Sequence, residues 1–399
     1  MGLNFVGSSL KIFIMAHYIS RGLIPGKRHT QFRSPEGKLY SEELVSTEGF
    51  SSDYSLLYHI HAPTQILSTD SPTPEKIDIP EEKMLKHRSL EGFKLNPEDD
   101  YLISRKPILV NHDIHISLAA PKQSFTKYFF KNADADELLF IHEGHGKLST
   151  VYGELSFTYG DYIHIPRGTI YQIEFDGSVN RLFIVESFSP IRYPKKYVSK
   201  YGQLLEHSPY CERDMREPVF AEARDESGDF LVRIKKQGML YGIHYGHHPF
   251  DVVGWDGCCY PYIFSILNFE PITGRVHQPP PVHITFEGNN FVVCSFVPRL
   301  FDYHPLSIPV PYNHSNIDSD EVLYYVDGDF MSRNQVTRGM ITLHPAGIPH
   351  GPHPGTVEKS LGAKETKELA VMVDTFHPLQ LTSMALALEN PGYTTSWNA

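Results

Sequence analysis

The sequence predicts an all-β-dominated chain of two β-sandwich domains with a short C-terminal helix, and three observations carry that expectation. The first is composition: among 399 residues there are 30 Pro, 29 Gly, 23 Tyr and 24 Phe, a turn-rich, aromatic-rich mix that favours many short strands over long helices. The second is an internal repeat. Glu137-Leu-Leu-Phe-Ile-His-Glu-Gly144 and Glu321-Val-Leu-Tyr-Tyr-Val-Asp-Gly328 each run from a Glu through six residues to a Gly, an apolar run closed by a turn residue, as a buried strand should be. The third is the stretch from Pro378 to Leu388, where Leu379, Leu381, Met384, Leu386 and Leu388 make an apolar run with no Gly or Pro inside. A helix is expected there.

Along the chain, residues 1–34 form an N-terminal segment, of which 1–14 differ in character from the rest of the chain. Met15 would itself be a credible start, so 1–14 are expected to be loosely ordered or a long-called translation start. A first domain is expected over 35–200, a linker region over 201–254 built around the charged stretch Arg213 to Asp229, and a second domain over 255–399, with its sheets ending near 375.

Net charge and cysteine usage exclude several classes of function. A formal net charge of -11 and no stripe of Lys and Arg speak against a nucleic-acid partner. Cys211, Cys258, Cys259 and Cys294 include no C-x-x-C pair, which excludes a zinc ribbon or a disulfide framework. No apolar run approaches the roughly 20 residues of a membrane helix, and Leu10 to Met15 is too short for a signal-peptide core. A cytoplasmic protein is expected. Asn313-His-Ser315 matches a glycosylation acceptor that a cytosolic chain would not present.

The repeat continues downstream of each Glu. Gly160-Asp-Tyr-Ile-His-Ile-Pro166-Arg-Gly168-Thr-Ile-Tyr171 and Gly339-Met-Ile-Thr-Leu-His-Pro345-Ala-Gly347-Ile-Pro-His350 share one frame of Gly, Pro, Gly and a final Tyr or His. Both motifs, twice and in order, resemble those of the cupin family of jelly-roll barrels, and the chain resembles a double cupin. In the cupin pattern two histidines precede the Glu. Here His314 stands seven residues before Glu321, and Asn316 occupies the second position. The resemblance implies a metal held by His314, Glu321 and His350, two imidazoles and a carboxylate that leave coordination positions open on Fe(II). The first copy keeps Glu137 but has Phe130 and Tyr171 where His314 and His350 would fall, and is expected to hold no metal. His59-Ile-His61, His112 with His115, and His244 with His247 and His248 lack a Glu at the required distance.

Further segments resemble the homogentisate 1,2-dioxygenase family: Lys27-Arg-His-Thr-Gln-Phe32 in the shorter bacterial style, His248-Pro-Phe-Asp-Val-Val-Gly-Trp255, Tyr260-Pro-Tyr262, Pro311-Tyr-Asn-His314 and His350-Gly-Pro352. That resemblance implies His277 as the active-site base, with His283 close enough to compete for the role, and His344 as a histidine beside the metal site with a catalytic or a structural part. Two residues past Gly328 the family commonly has a tyrosine that reaches the substrate, whereas this chain has Phe330. Tyr312, Tyr324 or Tyr325 could replace the hydroxyl. The expected reaction is Fe(II)-dependent opening of homogentisate by O2 to maleylacetoacetate in tyrosine and phenylalanine breakdown. The alternatives are a gentisate-like hydroxybenzoate dioxygenase and a non-enzymatic metal-binding cupin. The implied partners are an aromatic small molecule and O2, and the resemblance implies a homo-oligomer, a trimer or a hexamer. The acidic chain is expected to meet a substrate carboxylate with iron, His and Tyr groups.

Overall fold

The computed structural model describes residues 17–330 and 336–398; the segment 1–14, expected to be loosely ordered, lies outside them. The first repeat strand, Asp136–Glu143, pairs with Asp161–Ile165 on one side and Arg181–Ser187 on the other, at the centre of an eight-stranded sheet. A second eight-stranded sheet, containing Phe125–Asn132, Gly146–Thr150, Gly153–Phe157 and Ile170–Phe175, covers it. Between the two lies a closed interior of Phe130, Leu139, Ile141, Leu148, Ile163 and Tyr171. This is the sandwich that the repeat predicts.

The second repeat strand, Asp320–Asp327, is likewise central, in a six-stranded sheet between Leu369–Thr375 and Met340–His344. Its facing wall is different. Irregular segments and a ribbon of Arg299–Leu300 paired with Glu365–Thr366 stand opposite the sheet, so the interior stays open as a cavity.

The two repeats superpose residue by residue in their pairing. Glu137 lies opposite Ile165 and Glu186, and Glu321 lies opposite His344 and Asp374. Tyr171 pairs with Phe130, and His350 pairs with His314. Side chains alternate along a strand, so Glu321, Leu323 and Tyr325 face their own barrel while Val322, Tyr324 and Val326 face away. Those outward residues do not meet water. They join Phe140, Tyr162 and Phe183 of the first sheet in one buried layer, where the rings of Phe183 and Tyr324 stack at 4.7 Å. Both faces of each repeat strand are therefore buried, which is why both read as near-continuous apolar runs.

Three expectations need correction. The 201–254 region is not a plain linker: Ser227–Lys236 and Met239–His247 form a hairpin that extends the second sheet, with Ser227–Lys236 running parallel to Phe125–Asn132. Its turn is Gln237-Gly238, both at positive φ, the hairpin geometry that a Gly accommodates. The domain limits are also crossed. Arg88–Glu91 joins the six-stranded sheet of the second half, and Tyr262–Ser265 and Gln380–Leu381 join the first sheet. Finally, the helix expected from Pro378 covers Ser383–Leu388 alone, because Gln380–Leu381 is used as an edge strand and the Thr382 hydroxyl caps the helix by accepting from the Ala385 N–H.

Glu137, fully buried in the first barrel, is held by Arg105 at 2.5 Å and by the Tyr171 hydroxyl at 2.9 Å. Arg105 also lies 3.3 Å from Glu186, which Lys235 binds at 2.9 Å. Breaking a buried pair strands the remaining charge, whereas replacing both partners with apolar groups does not. Arg105→Met is therefore expected to cost about 3–5 kcal/mol in urea unfolding, and the double substitution Arg105→Met with Glu137→Met to recover most of it. Equal losses in the single and double variants would show that the pair is not what holds this barrel.

Candidate metal centre

Glu321 enters the second barrel from the central strand, which is the most rigid place the fold offers. His314 and His350 come from irregular segments, and a reciprocal pair of backbone bonds ties them together: each donates its N–H to the other's carbonyl at 2.8 Å. Gly351 follows at once because a Cβ there would stand 2.1 Å from the Asn313 side-chain oxygen. The His-Gly-Pro sequence thus allows the His350 segment to close on the His314 segment.

His314 Nε2 lies 3.6 Å and His350 Nε2 lies 3.4 Å from the two oxygens of Glu321. Donors bonded to one ion at about 2.1 Å stand roughly 3.0–3.5 Å apart. Among the described residues these three form the single group of three or more His, Cys, Asp or Glu whose donor atoms lie within 4.8 Å of one another. The far nitrogens are also arranged for the task. His314 Nδ1 faces the Tyr312 carbonyl at 3.3 Å and His350 Nδ1 faces the Ile348 carbonyl at 3.4 Å, an orientation that puts the proton on Nδ1 and the lone pair on Nε2. His350 Nε2 is buried with no hydrogen-bond partner. The donor set therefore fits a metal.

Electrostatics favour the same conclusion. Burial opposes ionisation of Glu321, yet the imidazoles of His314, His344 and His350 hold its carboxyl well below the usual range. Beside it, burial and then the charge of Glu321 push Asp374 up to about 8. Neither carboxyl is ion-paired to Lys or Arg among the described residues.

His344, opposite Glu321 in the register, is fully buried behind the cluster and does not line the cavity. Its Nδ1 is 2.8 Å from Glu321 Oε1 and its Nε2 is 3.1 Å from the Tyr393 hydroxyl; its ring stacks on His350 at 4.5 Å. This is the position of a residue that orients a ligand. The motif frame does not reach three neighbours that complete the surroundings: His87, whose ring stands 6.0 Å from His350, and Tyr393 and Trp397 of the C-terminal turn Tyr393–Asn398. Asp374 was equally out of reach, since it lies on another strand and becomes adjacent through register alone.

A cavity of ≈ 460 Å³ opens in front of His314 and Glu321. His277 lines it, with its Nδ1 3.5 Å from Asp302 and its ring 5.0 Å from that of Tyr312. Tyr312 in turn stands 6.1 Å from His314. His283 lines the same cavity but is buried in its wall against Phe296. Burial, followed by the charge of Arg299, pushes its imidazole down to about 3, a direction that weakens it as a proton acceptor. Of the tyrosines offered as substitutes for the missing hydroxyl, Tyr312 and Tyr325 line the cavity. Tyr324 does not. It points into the layer between the sheets, with its hydroxyl 2.6 Å from His142. Phe330 packs behind Tyr325 at 4.8 Å and is not part of the cavity wall.

Residues 101–266 match the family described as homogentisate 1,2-dioxygenase N-terminal. A candidate dioxygenase of Saccharolobus solfataricus is 41% identical over 385 residues, covering 96% of this chain and 99% of that protein. A homogentisate 1,2-dioxygenase of Rhizobium etli is 27% identical over 292 residues, covering 68% of this chain and 62% of the enzyme. Among solved structures, a cupin 2 conserved barrel domain protein from Leptotrichia buccalis is 12% identical, covering 76% of this chain and 100% of that one, with a TM-score of 0.33.

Purified protein loaded anaerobically with a divalent first-row metal is expected to bind one ion per chain by elemental analysis. His350→Ala should abolish binding, His344→Ala should weaken it by about 10–100-fold, and Glu137→Gln should leave it unchanged. Two ions per chain, or full retention in His350→Ala, would refute the assignment.

Proposed function

Because the chain belongs to the dioxygenase family of its Saccharolobus solfataricus relative, we propose that it is an Fe(II)-dependent ring-cleaving dioxygenase that converts homogentisate and O2 to maleylacetoacetate. The observation that carries this reading is the cluster of two imidazoles and one carboxylate, of which His314 and Glu321 line a cavity of aromatic-acid size. Such a donor set leaves several positions of an octahedral ion open. The match to the homogentisate dioxygenase N-terminal family and the Rhizobium etli enzyme support the substrate.

Iron bound by His314, Glu321 and His350 would supply the redox chemistry that lets an electron-rich ring react with O2. The chain's own residues do the rest. Glu321 and the two ligating histidines present their donors from one side, which leaves the cavity side to the substrate. His277, on that side, accepts the phenolic proton, since a deprotonated ring is the better electron donor. Asp302, 3.5 Å from its Nδ1, is placed to orient the imidazole. Tyr312 and Tyr325 line the ring space, and the Tyr325 hydroxyl is held 3.2 Å from the Thr342 hydroxyl.

Oxygen uptake should occur with homogentisate and not with gentisate; uptake with gentisate alone would move the substrate to a hydroxybenzoate, and uptake with neither would leave a binding protein. His277→Ala is expected to keep its iron and lose about 10²–10⁴-fold in turnover, while His283→Ala keeps most activity. The reverse result would transfer the role of base to His283, and loss of iron from His277→Ala would make it a fourth ligand.

A further inference from the structure

Among the described residues, four carboxyl groups line the cavity, those of Asp302, Glu321, Glu368 and Asp374, and one guanidinium, that of Arg299, with no lysine. On a chain of net charge -11, an anionic substrate would meet an unfavourable field in this cavity but for the metal and that one cation. Arg299 is held against the wall rather than spent in pairing. Its Nη1 donates to the Val297 carbonyl at 3.1 Å, and its Nη2 reaches Glu368 at 3.4 Å, well beyond the roughly 2.7–2.9 Å of a strong charge-assisted bond. Two of its five N–H groups are thereby used, and the others have no acceptor among the described residues. The guanidinium lies 5.4 Å over the Phe296 ring, which itself touches His283. His283 Nδ1 is buried with no hydrogen-bond partner. This wall thus combines a planar, half-satisfied cation with a flat apolar surface and an unpartnered imidazole, the chemistry that suits a carboxylate attached to an aromatic ring.

We propose that Arg299 is a specificity-determining residue that receives the substrate's carboxylate, with Glu368 occupying part of the guanidinium until the acid arrives. The inference rests on the ring-cleavage reading for the identity of its ligand. It adds Arg299 to the iron, His and Tyr groups that the sequence led one to expect around the carboxylate. The signal was weak, because Arg299 stands 22 residues before Glu321 and outside every motif.

Binding distinguishes this role from turnover. Phenylacetate and phenylacetamide share a ring and differ in charge, and neither has ring hydroxyls to oxidise. Titrated calorimetrically into the metal-loaded, full-length protein, phenylacetate is expected to bind at least about tenfold more tightly than the amide. Arg299→Gln should erase that preference without changing amide binding, and Glu368→Gln should strengthen phenylacetate binding by freeing the guanidinium. A purely structural Arg299–Glu368 pair would instead make both variants weaken both ligands alike, which would overturn the proposal. So would a charge preference that survives in Arg299→Gln, since the carboxylate would then reside elsewhere. Near-ultraviolet circular dichroism and metal content establish that each variant is folded. If the wild type opens no hydroquinone ring yet its preference for phenylacetate depends on Arg299, the function reading fails and the anion site stands; ring opening with a preference independent of Arg299 leaves the function reading standing and removes the anion site.

Discussion

A carboxylate enclosed in a β-barrel must have positive partners close by, because the interior cannot solvate its charge. Each half of this chain buries a glutamate at the same place in its repeat and meets that demand differently. In the first barrel, Glu137 and its cross-strand neighbour Glu186 face Arg105 and Lys235, two carboxylates against two fixed cations. In the second, Glu321 and its neighbour Asp374 have no lysine or arginine partner among the described residues, and imidazoles surround Glu321 instead. This donor set suits a divalent ion, whereas the first barrel fills the corresponding space with a guanidinium and the Tyr171 phenol.

The same strands that present the glutamates also join the domains. Alternation sends Glu321, Leu323 and Tyr325 into the cavity and Val322, Tyr324 and Val326 into the layer shared with Phe140, Tyr162 and Phe183. Packing between the sheets therefore fixes the height and tilt of the strand that carries Glu321. The first barrel is a structural support in this sense. It supplies a rigid apolar surface behind the metal strand, and the exchange of Arg88–Glu91 into the second sheet brings His87 behind His350.

The pattern of residues was sufficient where function and fold are written in short, local spacing. The Glu to Gly frame marked both central strands, and the cupin frame brought His314, Glu321 and His350 to a single group. What escaped depends on contacts between distant segments. The hairpin Ser227–Lys236 and Met239–His247 was hidden by a charged composition, because its strands lie at the exposed end of a sheet and carry polar residues on one face. The helix expected from Pro378 was shortened because an apolar run also suits an edge strand, and the competition was settled by Thr382, whose hydroxyl caps the helix. Asp374, Tyr393 and Arg299 enter the site through register and loop closure, for which no single-residue signal exists.

The candidate metal ligands and the residues around the cavity thus rest on two kinds of structure. The candidate ligands His314, Glu321 and His350 rest on a central strand and on a backbone bridge that hold them to a narrow geometry, as a metal requires. The residues that would face an organic substrate, His277, Tyr312 and Arg299, come from the irregular wall opposite, which the first barrel has replaced by a complete second sheet. Closing that wall with strands fills the interior with Phe130, Leu139 and Ile141; leaving it irregular opens the interior and lets loop residues face the metal strand. The loss of regular pairing in the second barrel is therefore the structural condition for its cavity, and the aromatic and charged residues of that wall can vary without disturbing the strand that carries Glu321.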